Sequence, residues 1–138
     1  MTTWFFSTEP DVYPWTIVEK EKKVRWDGIR GTAARKWLRD VVPGDLILGY
    51  HSSPEKAFVC LAEVAGKAYP DPKDPDWLAL DVRWGKWLKR KVPLSEMRAE
   101  KALAAMRFVR MPRLSVSPVT AGEIKALERM SETKFQSF

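Results

Sequence analysis

Two apolar segments separated by a short polar turn constrain the fold of this chain more than any other sequence feature. Residues 46–51 and 57–67 are rich in aliphatic and aromatic side chains, and residues 52–56 between them read Ser-Ser-Pro-Glu-Lys. This pattern is typical of an antiparallel hairpin, because serine and proline favour turns and β-branched residues favour strands. The sequence therefore predicts two long strands that pair with each other.

Shorter segments on both sides of this hairpin complete the predicted element order. Thr120 and Glu123 have the spacing of a capping box at the start of the last helix. Strands are predicted over residues 3–8, 77–84, 87–92 and 113–118, the second and third forming a hairpin across Gly85. Helices are predicted over residues 32–41, 94–98, 100–106 and 121–130. Surface loops are predicted over residues 11–28, with room for one short turn of helix, and over residues 69–76, and a frayed tail is predicted over residues 131–138.

This order of elements predicts an α+β fold, built as a small, mixed, mostly antiparallel β-barrel of about six strands with helices packed outside. No glycine-rich turn leads from a predicted strand into a helix, which argues against a dinucleotide-binding parallel sheet. The length of 138 residues indicates a single domain over residues 1–138, and a monomer is expected.

The chain contains one histidine, His51, and one cysteine, Cys60, which limits the chemistry available to it. A zinc site needs about four ligands of these kinds, and a single cysteine cannot form an internal disulfide. Cys60 lies in an apolar segment, where burial makes a thiol unreactive. The acidic residues Asp71, Asp74 and Asp76 lack the spacing of a calcium-binding loop and predict a solvated loop. We therefore expect no metal and no cofactor.

The cysteine content and the terminal sequence also bear on location. The first residues lack a basic region followed by an apolar run, and no apolar segment approaches the roughly 20 residues of a membrane helix. A single cysteine suits a reducing compartment. These observations predict a cytoplasmic protein that makes no contact with a membrane.

Basic residues are concentrated in one part of the chain. Residues 83–113 contain ten Lys or Arg and two Glu, a net charge of +8, whereas the remainder of the chain carries −2. A charge run is often only a solvated face, but this asymmetry favours a polyanionic partner such as nucleic acid. If about five of these side chains contact phosphates of duplex DNA, the logarithm of the association constant should fall with the logarithm of the salt concentration at a slope of roughly −4.5.

Seven tryptophans in 138 residues are more than the core of such a chain needs. Trp26 precedes Asp-Gly-Ile-Arg-Gly, between a charged loop and a predicted helix, so we expect it in a polar loop with a face free to stack on a planar group. The alternative is that it covers the core. Trp77, Trp84 and Trp87 lie in or beside the basic segment, where an exposed tryptophan can serve as a stacking platform for nucleobases.

Five short sequence blocks follow one another and span nearly the whole chain. They are an aromatic segment ending in Ser-Thr-Glu-Pro-Asp-Val-Tyr (4–13), Trp-Asp-Gly-Ile-Arg-Gly with Ala-Arg (26–31, 34–35), Gly-Asp with Tyr-His-Ser (44–45, 50–52), Ala-Glu-Val with Tyr-Pro-Asp (62–64, 69–71), and Arg-Leu-Ser-Val-Ser-Pro-Val (113–119). In these blocks the chain resembles the EVE domain family, within the PUA-like group that includes the YTH readers of modified RNA. Three positions depart from the family pattern: Thr8 replaces a serine, Gly31 replaces an asparagine whose amide can bind a ligand, and Cys60 replaces a glycine.

The resemblance implies a small mixed barrel and a non-catalytic reader of modified nucleobases in DNA or RNA. A modified base must leave its stack to be inspected, and it is then held by aromatic faces and by hydrogen bonds to its edge. We expect Trp26 to stack on the base and Trp77 to form a second wall. The candidates for edge recognition are Thr8, Tyr50, His51, Ser52 and Ser117. The candidates for phosphate binding are Arg30, Lys89, Arg90, Lys91 and Arg113.

Two other classes of function remain open at the level of the sequence. The first is an enzyme acting on a nucleotide or RNA, with His51 as its acid or base. The second is a protein-interaction adaptor that uses exposed tryptophans as anchors. An enzyme would change the base or sugar whereas a reader returns it intact, and an adaptor with an apolar interface would be far less sensitive to salt.

Overall fold

The computed structural model describes residues 2–29 and 31–135, and within these ranges the chain forms seven β-strands and five α-helices. The strands are β1 (Thr3–Thr8), β2 (Lys23–Trp26), β3 (Leu46–His51), β4 (Ala57–Val64), β5 (Tyr69–Asp71), β6 (Asp74–Pro93) and β7 (Val116–Val119). The helices are α1 (Trp15–Glu21), α2 (Thr32–Leu38), α3 (Leu94–Ala99), α4 (Arg107–Arg110) and α5 (Ala121–Ser131), and a 3-10 turn covers Lys101–Leu103. The predicted α+β class is confirmed.

The seven strands form one mixed, mostly antiparallel sheet in the order β2-β6-β4-β3-β1-β7, with β5 paired to β6. β1 and β3 run parallel to each other, and the other pairs are antiparallel. The predicted hairpin is confirmed, because β3 pairs with β4 from Leu46 opposite Glu63 to His51 opposite Ala57. The parallel pair matters for the site, since it places the ends of β1 and β3 at the same edge of the sheet.

The sheet is not closed into the barrel that the sequence predicts. Strands β2 and β7 stand at the two ends of the order, and no backbone pairing joins them within the described ranges. A barrel requires continuous strand pairing around its circumference. Here α2 packs against both β6 and β7 instead, so a helix covers the side at which a barrel would close.

The predicted hairpin across Gly85 is wrong, because residues 74–93 form the single long strand β6. The backbone of β6 finds partners along its length in β2, β4 and β5. Irregularities in its pairing with β4, between Phe58 and Cys60 and between Leu61 and Ala62, allow the strand to continue past Gly85. Neighbouring strands therefore override a local turn signal.

The predicted surface loop over residues 11–28 is also wrong, since the segment contains the strand β2 and, in place of one short turn of helix, the seven-residue helix α1. Trp15 and Val18 of α1 are only 1% and 2% exposed and lie in an apolar cluster. Packing of this kind stabilises a seven-residue helix that would be marginal in isolation. The charged residues around α1 lie on its solvent side and hide this signal in the sequence.

Successive residues of β1 enter two separate apolar clusters, because strand side chains alternate between the two faces of a sheet. Trp4 and Phe6 lie in the first cluster together with Trp26, and α1 and α2 contribute to it. Phe5 lies in the second cluster together with Tyr50, and α3, α4 and α5 contribute to that one. Trp26 and Tyr50 are thus separated by the sheet.

The C-terminal helix begins as predicted and ends in a docked segment. The Thr120 hydroxyl accepts a hydrogen bond from Glu123 N, and the Glu123 carboxylate accepts one from Thr120 N, which confirms the capping box. Thr133 is buried and its hydroxyl accepts from Lys89 N, while the Phe135 ring packs edge-on against another aromatic ring of the second cluster. The expected frayed tail is therefore wrong as far as residue 135, and residues 136–138 lie outside the described ranges. Within those ranges no helix has the length and apolar character needed to cross a membrane.

Gly49 in β3 leaves room for the side chain of Cys60, its partner on β4. A Cβ at this position would collide with Cys60 Sγ and would lie 2.7 Å from Cε2 of Trp15. We expect Gly49→Ala to lower the free energy of unfolding by about 1–3 kcal/mol, measured by urea denaturation, because overpacking a closed core forces strain. Gly66→Ala is the control, since a Cβ there meets no atom within 4 Å. Equal stability of the two variants would contradict the prediction.

Candidate functional site

A cleft of about 560 Å³ opens at the edge of the sheet where β1 and β3 end. The segments that surround it are held together by the backbone. Ser52 N donates to Thr8 O at 2.8 Å, and Ser7 N donates to Ser115 O at 2.9 Å. The lining consists of Ser7, Thr8, Glu9, Val12, Tyr13, Trp26, Asp27, Gly28, Ile29, Ser52, Ser53, Pro112, Arg113 and Ser115. Four residues proposed from the sequence are thus brought together: Thr8, Trp26, Ser52 and Arg113.

Trp26 lines the cleft, but its expected place in a polar loop is wrong. It is the last residue of β2, opposite Leu80 of β6, and only 6% of it is exposed. Its ring lies 4.3 Å from Phe6 and 5.6 Å from Trp15, measured between ring centroids. Trp26 therefore belongs to the core and also forms part of the cleft wall.

Tyr13 is a second aromatic side chain in the cleft that sequence reasoning missed. Its backbone carbonyl accepts a hydrogen bond from the Thr8 hydroxyl, which fixes the segment after β1 over the cleft. Burial, followed by the charges of Asp27 and Glu21, raises the pKa of Tyr13. Its hydroxyl, like that of an ordinary tyrosine, is protonated at neutral pH and can donate a hydrogen bond.

The polar groups of the cleft are of three kinds. The hydroxyls of Ser7, Ser52, Ser53 and Ser115 make no hydrogen bond to the described part of the chain, so they can serve a ligand. Glu9 and Asp27 supply carboxylate oxygens, which accept hydrogen bonds. Arg113 is exposed at the rim and makes no ion pair with any described residue, which leaves its guanidinium available to a phosphate.

Several residues proposed from the sequence lie outside this cleft. Tyr50 is buried in the second cluster, 4.6 Å from the ring of Phe108, and burial raises its pKa to about 12. Its register in β3 points it to the face opposite Trp26. Trp77 does not line the cleft, and the guanidinium carbon of Arg35 lies 5.0 Å from its ring centroid. Arg30 lies outside the described residues.

His51 is a structural residue of the β3 end rather than part of the cleft lining. It is 6% exposed, and its Nε2 accepts a hydrogen bond of 3.0 Å from Trp15 N. Because Nε2 accepts, the proton of the neutral ring lies on Nδ1, which donates to Glu55 Oε1 at 2.7 Å. Burial tends to raise the pKa of Glu55, but its hydrogen bonds with Lys91 and His51 outweigh that effect and leave the pKa lowered.

The three basic residues proposed on β6 differ in their availability. Arg90 donates to both carboxylate oxygens of Glu96, at 2.8 and 2.7 Å. Lys91 Nζ lies 2.9 Å from Glu55 Oε2. The ammonium group of Lys89 makes no ion pair within residues 2–29 and 31–135. Lys89 is therefore the one of the three whose charge is not already matched by a neighbouring carboxylate.

Ser117 lies on β7 opposite Phe5 and is fully buried, and its hydroxyl has no hydrogen-bond partner in the described part of the chain. We expect Ser117→Ala to raise the free energy of unfolding by about 1 kcal/mol, because a buried unsatisfied hydroxyl is unfavourable, and to leave ligand binding unchanged. Ser115→Ala, in the cleft, should weaken ligand binding with little effect on stability. Loss of binding in Ser117→Ala would restore the role proposed from the sequence.

The acidic segment after β4 is not the solvated loop that the sequence predicts, because it contains β5 and the start of β6. Asp71 is fully buried and accepts hydrogen bonds from the backbone, whereas Asp76 is exposed. No group of three or more His, Cys, Asp or Glu side chains placed to hold a metal occurs in the described ranges.

Comparison with known proteins identifies relatives along nearly the whole chain. The EVE domain family model matches residues 2–130. The solution structure of Rpa0253 from Rhodopseudomonas palustris is 34% identical, with a TM-score of 0.89 and coverage of 96% of this chain and 94% of that one. The structure of human THYN1 in complex with 5-methylcytosine-containing DNA is 24% identical, with a TM-score of 0.87 and coverage of 97% and 99%.

Mouse thymocyte nuclear protein 1 is 31% identical over 134 residues, which cover 79% of this chain. The match covers 59% of the mouse protein, so the relative is considerably longer than the region shared with this chain.

Proposed function

Since the chain belongs to the EVE domain family, we propose that it is a non-catalytic module that captures a flipped, modified nucleobase in the cleft beside Trp26. The observation that carries this proposal is the lining of the cleft, in which Trp26 and Tyr13 stand beside free serine hydroxyls and a rim arginine. Its volume of about 560 Å³ lies in the range of small-molecule sites, roughly 300–1,000 Å³. A single nucleobase is small enough to enter it.

The cleft supplies the contacts that recognition of a flipped base requires. Aromatic surfaces stack on a base, and this is worth about 1–3 kcal/mol per base. Carboxylates such as Asp27 and Glu9 accept hydrogen bonds from exocyclic amino groups, as they do with cytosine in DNA grooves. In this proposal Tyr13 takes the place of Trp77 as the second aromatic surface, and Arg113 binds a flanking phosphate.

DNA that contains 5-methylcytosine is the first ligand to test. Human THYN1 has been crystallised with such DNA, and its fold is shared by this chain. We extend this class of ligand to the present chain as part of the proposal. Preferential binding to RNA that carries the modified base is a separate outcome of the same experiment.

The two rival functions have weaker support in the structure. For an enzyme, His51 would need a free ring nitrogen at the cleft, but both nitrogens bind groups of the protein itself. For an adaptor, several exposed tryptophans would be needed, and of the seven only Trp87, at 36%, is exposed.

The prediction of a cytoplasmic location stays a prediction.

The test compares labelled oligonucleotides that differ at one base, by fluorescence anisotropy, with cytosine, 5-methylcytosine and other modified bases in DNA and RNA. We expect tighter binding of at least one modified base and, by mass spectrometry after incubation, recovery of that base unchanged. Equal affinity for all bases would overturn the proposal. Conversion of the base, abolished by His51→Ala, would favour the enzyme instead.

A further inference from the structure

The Tyr-Pro-Asp block of strand β5 does not line the cleft, but Asp71 of this block contacts the Asp27-Gly28 turn, which does. We propose that Asp71 is a positioning residue that holds the Asp27-Gly28 turn in the geometry needed for base recognition. This inference rests on the proposed function. It concerns a residue that contacts the turn and not the ligand.

The contacts of Asp71 join segments that are far apart in sequence. Its Oδ2 accepts a hydrogen bond of 3.1 Å from Gly28 N, and its Oδ1 accepts one of 2.8 Å from Lys73 N. The side chain is fully buried. A carboxylate is costly to bury unless hydrogen bonds compensate it, so these charge-assisted bonds fix both donors firmly.

The turn itself needs such an anchor. Gly28 has a φ of +76°, a conformation that favours glycine, and a Cβ there would meet nothing within 4 Å. Gly28 is also exposed, so tight packing does not hold it in place. The bond to Asp71 therefore constrains the backbone directly after Asp27, two residues beyond Trp26 in the cleft wall.

Strand β5 can transmit rigidity to the turn because it is itself held by the sheet. Tyr69 pairs with Ala79 of β6, and its hydroxyl donates to Asp81 Oδ1 at 2.6 Å. The same segment contacts the turn a second time, where Lys73 Nζ lies 3.7 Å from Asp27 Oδ1. A recognition site must be held to within about 0.5 Å, and a turn reaches that precision only with support from a rigid element.

The test is Asp71→Asn with Asp76→Asn as its matched control. Asparagine keeps the shape of aspartate but presents one oxygen and one NH2 group, so a donor then faces one of the two N–H groups. The control removes the same charge from an exposed carboxylate in the same segment. We expect Asp71→Asn to reduce the ratio of affinities for modified and unmodified base by about 10-fold, which corresponds to about 1.4 kcal/mol. The control should leave the ratio unchanged.

The ratio is the decisive quantity, because partial unfolding of a variant lowers both affinities equally and leaves their ratio intact. An unchanged ratio in folded Asp71→Asn would overturn the positioning role while leaving the proposed function standing. Absence of any preference in the parent protein would instead overturn the proposed function.

A measurement on the parent protein covers the case in which Asp71→Asn does not fold. Amide hydrogen exchange followed by NMR should show that the Gly28 amide exchanges slowly. The Gly66 amide, which donates no hydrogen bond to a described residue, should exchange faster and serves as the internal comparison. Exchange of Gly28 at the rate of an unprotected amide would show that Asp71 does not hold the turn, whatever the binding data.

Discussion

Trp26→Ala should lower the free energy of unfolding by about 3–5 kcal/mol and should also abolish preference for the modified base. The first effect follows from burial, because removing a core tryptophan forfeits its contacts and leaves a cavity. Trp26 is only 6% exposed and packs between Phe6 and Trp15. The second effect follows from its position in the cleft wall.

Urea denaturation gives the first quantity, and oligonucleotide binding below the unfolding transition gives the second. Trp87→Ala is the matched control, because Trp87 is 36% exposed and does not line the cleft. It should cost less stability and keep the base preference. A stability loss no larger than that of the control would mean that the buried packing of Trp26 is energetically unimportant.

Trp26→Phe separates the two roles. Phenylalanine retains an aromatic ring and part of the buried volume, so it should recover a large share of the stability lost in the alanine variant. If it restores stability and preference together, the ring is sufficient for both. If folded Trp26→Ala retained full preference for the modified base, the cleft would not be the binding site.

The fold was predictable where the signal is local. The hairpin is predicted by the apolar segments of β3 and β4 and the turn between them, and it is confirmed. The helix start is predicted by the spacing of Thr120 and Glu123, and it is also confirmed. Sequence reasoning failed where tertiary packing decides. Gly85 signals a turn, but β6 continues because it has partners on neighbouring strands. Barrel closure depends on which elements meet at the ends of the sheet, which no local pattern reveals.

The site could be predicted only in part, because the sequence does not show on which face of the sheet a strand residue lies or where the strand ends. Tyr50 and Ser52 are two residues apart in one sequence block, yet the first lies within β3 on the far face of the sheet and the second follows the strand into the cleft. The place of Tyr13 in the cleft and the contact of Asp71 with Gly28 were not predicted, because their segments carry the sequence pattern of surface loops.

Raising the salt concentration from 50 to 200 mM should weaken binding to duplex DNA by roughly 40-fold, corresponding to about three phosphate contacts and a slope of about −2.7. This is a smaller slope than the sequence alone suggests, because Arg90 and Lys91 already bind Glu96 and Glu55. The cations without such partners in the described ranges include Lys86, Lys89 and Arg113. A slope near zero would exclude a polyanionic partner and would favour the adaptor.

Lys89→Gln and Arg90→Gln test this account with a matched pair, since each removes one positive charge from adjacent positions of β6. Lys89→Gln should weaken binding to all sequences alike and reduce the slope by about 0.9, which is the contribution of one phosphate contact. Arg90→Gln should leave the slope nearly unchanged, because its charge is neutralised by a bidentate pair with Glu96 before any ligand arrives. Equal effects of the two variants would mean that nucleic acid displaces Glu96 from Arg90, so that the ion pair does not decide which basic side chains contact phosphate.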